Sequence, residues 1–121
     1  IIYPEKKVLV VAGDGGIMMS IAELETAVRL KIDLVVLILD DEGLGMIRWK
    51  QKDMALPAYG LSFNNPDFVM LAKSFGAVGY KINKARDLLP LLQKSLNAKG
   101  VHIIRCSINY NKANKTLKTN N

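Results

Sequence analysis

The sequence contains one cysteine, one histidine and few aromatic residues, and it has no long hydrophobic run. A single cysteine cannot form an internal disulfide, which favours a cytoplasmic protein over a secreted one. No apolar run approaches the roughly 18 residues that a membrane span needs. The N-terminal IIYPEKK lacks the basic and apolar segments of a signal peptide, and no initiator methionine is present. We therefore interpret the sequence as a piece of a longer chain.

The remaining composition is that of one compact domain. The chain has 121 residues, of which 50% are hydrophobic, so it can bury a mainly aliphatic core. The net charge is +6, and three of these charges are lysines in an acid-free tail, residues 111–121. The other basic residues are scattered and are not interleaved with aromatic residues. We therefore expect no binding to nucleic acid.

The pattern of apolar residues predicts an α/β fold. Four short runs rich in Val, Ile and Leu predict strands over residues 8–12, 34–39, 77–80 and 101–106. Such continuous runs are typical of parallel strands that are covered on both faces. Helical spacing predicts helices over 17–30, 67–75 and 85–96, whereas residues 50–66 read as a long loop. The order β-α-β-α-α-β-α-β predicts an open, doubly wound parallel sheet with helices on both faces.

Acidic residues follow the first two predicted strands. Asp14 lies within the glycine-rich GDGG of residues 13–16, and Asp40-Asp41-Glu42 precedes Gly43 and Gly45. Ligands of open parallel sheets bind beyond the carboxyl ends of the strands, so neighbouring strands would bring both corners to one crevice. Carboxylate and carbonyl oxygens suit Mg²⁺, while glycines and a helix N-terminus suit a diphosphate. The residues indicate a Mg²⁺–diphosphate site, and the alternative is a simple turn with solvated loop acids.

The GDG, followed by a helix, a strand and a second polar corner, resembles the metal-binding motif of thiamine diphosphate enzymes. In that family the Asp of GDG and a residue 27 positions later, here Asp41, bind Mg²⁺. A main-chain carbonyl two residues further on, here that of Gly43, is the third protein ligand. The resemblance covers residues 1–110 and implies the C-terminal thiamine diphosphate-binding domain, followed by a polar basic tail, residues 111–121.

The resemblance also implies where the cofactor and the partner domains bind. The residues implied in binding thiamine diphosphate are Gly13, Asp14, Gly15, Gly16, Asp41, Gly43, Leu44, Gly45 and Met46. Asp14, Asp41 and Gly43 are the implied metal ligands. The family's catalytic Glu lies in an N-terminal domain, usually of a second subunit. We therefore expect no catalytic residue in this segment, no activity of the segment alone, and a homodimer or homotetramer of the whole protein.

Two segments bear on the subfamily. ELETAVRLK at residues 23–31, together with an Asp at 41, is similar to catabolic acetolactate synthases, whereas GLGMIRWKQ at 43–51 is nearer the biosynthetic pattern. The implied reaction condenses two pyruvates to 2-acetolactate with loss of CO₂, without FAD. The alternatives are another pyruvate-using relative, such as pyruvate oxidase or glyoxylate carboligase, and a receiver-like signalling domain that binds Mg²⁺ through acids.

Overall fold

Four parallel strands form the central sheet of the computed structural model, which describes Tyr3 and residues 5–109. The strands are β1 (Val8–Gly13), β2 (Leu34–Asp40), β3 (Val78–Ile82) and β4 (Val101–Ser107). Their order across the sheet is β1-β2-β4-β3, and every neighbouring pair is parallel. The parallel sheet that the apolar runs predict is therefore confirmed.

Helices pack on both faces of this sheet, although Leu9 and Val11 on one face of β1 remain exposed. They are α1 (Asp14–Met18), α2 (Glu23–Arg29), α3 (Gly45–Asp53), α4 (Phe68–Ser74) and α5 (Leu88–Asn97), the last preceded by a 3₁₀ turn (Ala85–Asp87). Helices α2 and α4 pack on one face, where Ala72 is fully buried. Helix α5 packs on the other face through a row of leucines. The doubly wound arrangement is therefore confirmed.

Both faces of the central strand β2 are buried, which explains why its sequence lacks an alternating pattern. Val36 and Ile38 of β2 belong to the cluster under α2 and α4, whereas Val35 and Leu37 belong to the cluster under α5. All four side chains are buried. A strand covered on both faces needs apolar residues at every position, which is what the run LVVLIL supplies.

Two predicted boundaries are wrong. The helix predicted over 17–30 is two helices, because the chain between Met18 and Glu23 makes turn-type bonds such as Ser20 N to Ile17 O at 3.0 Å and Glu23 N to Ser20 O at 3.0 Å. The loop predicted over 50–66 begins too early, since α3 continues to Asp53. The connection between α3 and α4 therefore spans residues 54–67, and we call it the α3–α4 loop.

The predicted tail, residues 111–121, lies outside the described residues. Within the part of the chain that the structure describes, no helix has the length and apolar character to cross a membrane. Cys106, near the end of β4, has a free and half-buried thiol.

Candidate functional site

The two acidic corners meet at one end of the sheet. Strands β1 and β2 are direct neighbours, with Gly13 opposite Leu39 at their carboxyl ends. The backbone N–H of Gly43, in the second corner, donates to Asp14 Oδ2 at 3.2 Å. The expectation that both corners reach one crevice is met because the first crossover connects adjacent strands.

Asp14 is almost completely buried and is held by three donors. It begins α1 and is 1% exposed. Its Oδ1 accepts from Gly15 N at 2.8 Å, and its Oδ2 accepts from Gly43 N at 3.2 Å and from Asn65 Nδ2 at 2.6 Å. An ionised carboxylate has about four lone-pair positions. One position of Asp14 is left, which is enough for a single bond to a cation.

Asp41 carries the charge that the protein compensates least among the aspartates of this corner. Its Oδ2 is buried and has no hydrogen-bond partner. The nearest cation is Arg48, with Nη1 3.7 Å from that oxygen. Burial raises the pKa of Asp41, the neighbouring Asp14 raises it further, and Arg48 acts in the opposite direction. A buried carboxylate oxygen without a donor is where a bound cation would be most strongly stabilised.

The glycines of this corner serve different purposes. At Gly13 and Gly16 a side chain would meet no atom within 4 Å, so a ligand can approach the backbone there. A Cβ at Gly15 would meet Leu44 Cδ2 at 2.9 Å and Phe63 Cζ at 3.1 Å. Gly15 is therefore needed for packing, whereas the open space lies beside Gly13 and Gly16.

The α3–α4 loop closes over the second corner by short strand-like pairing. Gly43 and Ser62 form an isolated antiparallel bridge, and Leu44 N donates to Leu61 O at 2.9 Å. A Cβ at Gly43 would overlap Leu61 O and the Arg48 guanidinium. Only glycine allows the two segments to approach this closely, so Gly43 fixes the loop against the corner.

Two cavities flank this end of the sheet. One of about 440 Å³ is lined by residues that include Asp41, Arg48 and Phe63. The other, of about 320 Å³, is lined by residues that include Asp40 and Arg105. The cavity beside Asp41 offers room for a small polar ligand next to this carboxylate.

The residues that the resemblance implies in cofactor binding lie at this end of the sheet, and they differ in how deeply they are buried. Gly43 and Gly45 are buried, Leu44 is half-buried beside Gly15, and Met46 is 62% exposed on α3. Within the described ranges, no group of three or more His, Cys, Asp and Glu side chains could hold a metal ion. The implied metal set contains two carboxylates and one main-chain carbonyl, so further oxygen ligands would have to come from a bound diphosphate or water.

Behind Asp14 lies a polar network that the sequence did not predict. Asn65 Nδ2 also donates to Asp40 Oδ1 at 2.8 Å, and Arg105 forms an ion pair with Asp40 Oδ2. Burial alone would raise the pKa of Asp40, but the hydrogen bonds from Arg105 and the Glu42 amide hold it below its usual value. The available signals were an Asn-Asn pair in the long loop and one arginine inside the apolar run VHIIRC.

Residues 1–106 match the family described as thiamine pyrophosphate enzyme, C-terminal TPP binding domain, thiamine pyrophosphate being another name for thiamine diphosphate. The chain therefore belongs to the thiamine pyrophosphate enzymes, and the resemblance is confirmed. The receiver-like alternative is set aside because this match covers both acidic corners.

Relatives include acetolactate synthases from several bacteria. The chain is 36% identical over 110 residues to the acetolactate synthase of Bacillus subtilis (strain 168), covering 91% of this chain and 19% of that protein. It is 33% identical over 110 residues to the catabolic acetolactate synthase of Raoultella terrigena, covering 91% of this chain and 20% of that protein. The chain thus spans about a fifth of the length of these relatives.

A solved structure supports the same fold. The thiamine diphosphate-dependent 4-hydroxybenzoylformate decarboxylase of Rhodococcus jostii RHA1 superposes with a TM-score of 0.81 at 29% identity, over 88% of this chain and 20% of that chain. The benzoylformate decarboxylase of Polynucleobacter necessarius superposes with a TM-score of 0.80 at 24% identity, over 85% of this chain and 20% of that chain. The second likeness concerns the fold alone.

Proposed function

We propose that this chain is the cofactor-binding domain of an acetolactate synthase, which condenses two pyruvates to 2-acetolactate with loss of CO₂. The proposal is supported by the acetolactate synthases among its relatives, one of them catabolic. Because the chain spans about a fifth of those proteins, the activity would belong to a longer polypeptide. We expect the chain alone to be inactive.

In this proposal Asp14, Asp41 and the main-chain carbonyl of Gly43 hold Mg²⁺, which neutralises the diphosphate of the cofactor. The observation that carries it is the bond from Gly43 N to Asp14 Oδ2, because it brings the two corners within contact distance. The lone-pair position left on Asp14 and the partnerless oxygen of Asp41 suit a cation. Asp41 adds a negative charge that an asparagine would lack, which favours tight retention of Mg²⁺.

The backbone beside Gly13 and Gly16 would accept the diphosphate, since no protein atom fills the space there. Helix α1 begins directly after β1, so its first N–H groups lie at the same end of the sheet. Thiamine diphosphate, when bound, supplies the group that stabilises the charge released as CO₂ leaves. The residues of this chain would bind and orient it, and residues 44–46, which directly follow the proposed ligand Gly43, would contact it.

The remainder of the active site would come from other domains. Leu9 and Val11 share one face of β1 and are 39% and 57% exposed, so the described helices leave this part of the sheet uncovered. This exposure supports a contact between β1 and another part of the whole protein. We propose a homodimer or homotetramer in the cytoplasm, with the catalytic Glu on a second subunit and no requirement for FAD.

The test uses the intact protein that contains this chain, supplied with pyruvate, Mg²⁺ and thiamine diphosphate but no FAD. We expect 2-acetolactate as the product, and we expect its formation to be lost in Asp14→Ala and in Asp41→Ala. Asp41→Asn should retain metal binding, because an amide oxygen can replace the carboxylate as a ligand. Glu23→Ala, which alters an exposed acid on α2, is the matched control.

The outcomes separate the parts of this proposal. Loss of activity in Glu23→Ala as well as in the two aspartate variants would point to general damage and contradict the metal assignment. Failure of the wild-type protein to bind thiamine diphosphate with Mg²⁺ would contradict the cofactor site. A flavin bound to the purified protein would contradict the expected independence from FAD.

A second candidate is a decarboxylase or oxidase that uses the same cofactor site. The specific observation in its favour is the 4-hydroxybenzoylformate decarboxylase that superposes at 29% identity. The product separates the candidates: acetaldehyde or acetate from pyruvate would support this second assignment, whereas 2-acetolactate would support the first.

A further inference from the structure

A single amide nitrogen joins two buried carboxylates behind the proposed metal site. Asn65 Nδ2 lies 2.6 Å from Asp14 Oδ2 and 2.8 Å from Asp40 Oδ1. Asp14 is 1% exposed and Asp40 is 2% exposed, so water does not separate or screen them from the amide. The two N–H groups of one Asn side chain therefore satisfy one carboxylate each.

The chemistry of the partners fixes the orientation of this amide. Ionised carboxylates only accept hydrogen bonds, so the NH₂ group of Asn65, and not its oxygen, must face Asp14 and Asp40. The amide oxygen consequently faces elsewhere and has no partner among the described residues. Leaving one acceptor unsatisfied is the cost of placing a donor between two anions that would otherwise repel each other.

Asp40 is itself held firmly, which makes it an anchor for the amide. Its Oδ2 is paired with Arg105 of β4, and its Oδ1 also accepts from Glu42 N at 3.2 Å. Both Asp40 and Arg105 belong to the two central strands of the sheet. The contacts therefore run from the sheet through Asp40 and Asn65 to Asp14.

The backbone on both sides of Asn65 is also restrained. Three residues earlier, Ser62 is bridged to Gly43. Two residues later, Asp67 caps α4 by accepting from Val69 N at 2.8 Å and Met70 N at 3.0 Å. The amide thus has little freedom to follow Asp14, so Asp14 must adapt to the amide.

We propose that Asn65 is a positioning residue, which orients the Asp14 carboxylate so that its remaining lone pair faces the Mg²⁺ of the bound cofactor. This inference rests on the proposed function. With Asn65 in place, the carboxylate has one allowed rotation, because Gly15 N, Gly43 N and the amide take the other acceptor positions. Without it, the carboxylate can turn and is repelled by Asp40.

The experiment measures binding of Mn²⁺, a spectroscopic substitute for Mg²⁺, to the intact protein in the presence of thiamine diphosphate. Free Mn²⁺ is followed by electron paramagnetic resonance, so activity is not needed as a readout. Removal of a partner that orients a metal ligand typically weakens metal binding by about 10- to 100-fold. We expect this increase in the Mn²⁺ dissociation constant for Asn65→Ala.

The matched control is Asn97→Ala, which removes an exposed amide at the end of α5 that lines neither cavity. We expect it to bind Mn²⁺ as tightly as the wild type. If Asn65→Ala does not yield folded protein, Asn65→Ser is measured in its place. The serine retains one hydroxyl donor, which can serve only one carboxylate, so weaker Mn²⁺ binding is again expected.

The results distinguish failure of this inference from failure of the proposed function. If the wild type binds Mn²⁺, Asp14→Ala abolishes that binding, and Asn65→Ala binds as tightly as Asn97→Ala, the metal site stands and the positioning role is wrong. If the wild type binds no Mn²⁺ with thiamine diphosphate, the proposed function is wrong and the inference falls with it.

Discussion

Replacing Gly43 by alanine tests whether the α3–α4 loop is held against the acidic corner as the structure shows. A Cβ at this position would lie less than 3.0 Å from Leu61 O and from the guanidinium of Arg48. The guanidinium can move at little cost, because it ends a flexible side chain. The Leu61 oxygen cannot, because it belongs to the backbone and already accepts from Leu44 N at 2.9 Å.

The expected cost follows from this overlap. Adding a methyl group where the neighbours cannot yield typically costs about 1–3 kcal/mol. The strain can be relieved by parting the loop from the corner, so the free energy of this local opening should fall by that amount. Since about 1.4 kcal/mol corresponds to a factor of ten, the open state should become roughly 5- to 140-fold more populated.

Hydrogen exchange of the cofactor-free protein, followed by mass spectrometry of its peptides, measures this opening. We expect faster exchange in Gly43→Ala for the peptides that contain Leu44 and Phe63, and unchanged exchange for residues 34–40 of β2. Gly16→Ala is the control, since a Cβ there meets no atom within 4 Å. Equal protection of the loop in the two variants would refute the reasoning.

Three further predictions concern two glycines and two aspartates. Gly16→Ala should stabilise α1 by about 0.5–1 kcal/mol while weakening thiamine diphosphate binding, as thermal unfolding and a binding titration would measure. Gly79→Ala should lower the unfolding temperature, because its Cβ would lie 2.7 Å from a backbone oxygen of α4; an unchanged value would contradict this close packing. Asp41→Asn should raise the unfolding temperature of the metal-free protein, because it removes a buried charge. Asp40→Asn should lower the unfolding temperature, because it leaves Arg105 without its anion. Shifts of the same sign in the two variants would contradict this distinction.

The part of the site that the sequence could predict is the part determined by neighbouring segments. The run VLVVA ends at Gly13-Asp14, and one crossover later LVVLIL ends at Asp40-Asp41. A crossover of this length usually joins adjacent parallel strands, so the meeting of the two corners follows from chain order. The same argument predicts helices on both faces, because neither strand has a polar face to expose.

The contacts that were missed join residues distant in the sequence. Asn65 is 51 positions from Asp14, and Arg105 is 65 positions from Asp40. Their meeting depends on how the α3–α4 loop folds back and on the insertion of β4 between β2 and β3, neither of which has a local pattern. An arginine in the apolar run of β4 was nevertheless a usable signal, because a charge at the end of a buried strand requires a partner.

The three carboxylates of this corner differ in how far the protein compensates their charge. Asp40 is paired with Arg105 and bonded to two further donors, which explains why its pKa stays low despite burial. Asp14 has three donors and one lone pair to spare. Asp41 has a buried oxygen without a donor. Its pKa in the folded protein is raised above 3.8, so the folded protein loses stability as the pH rises from 3.8 to that raised pKa.

These differences in compensation suit the three aspartates to different roles, either holding neighbouring side chains or binding a cation. A group that the fold already neutralises gains little from a cation, whereas a group left charged and desolvated gains most, because a bound cation removes the desolvation cost. Asp40 is therefore suited to hold its neighbours, Asp14 to be held and to bind, and Asp41 to bind. In the proposed metal site, the charge on Asp41 should therefore lower the stability of the metal-free protein, and binding of the metal should restore it.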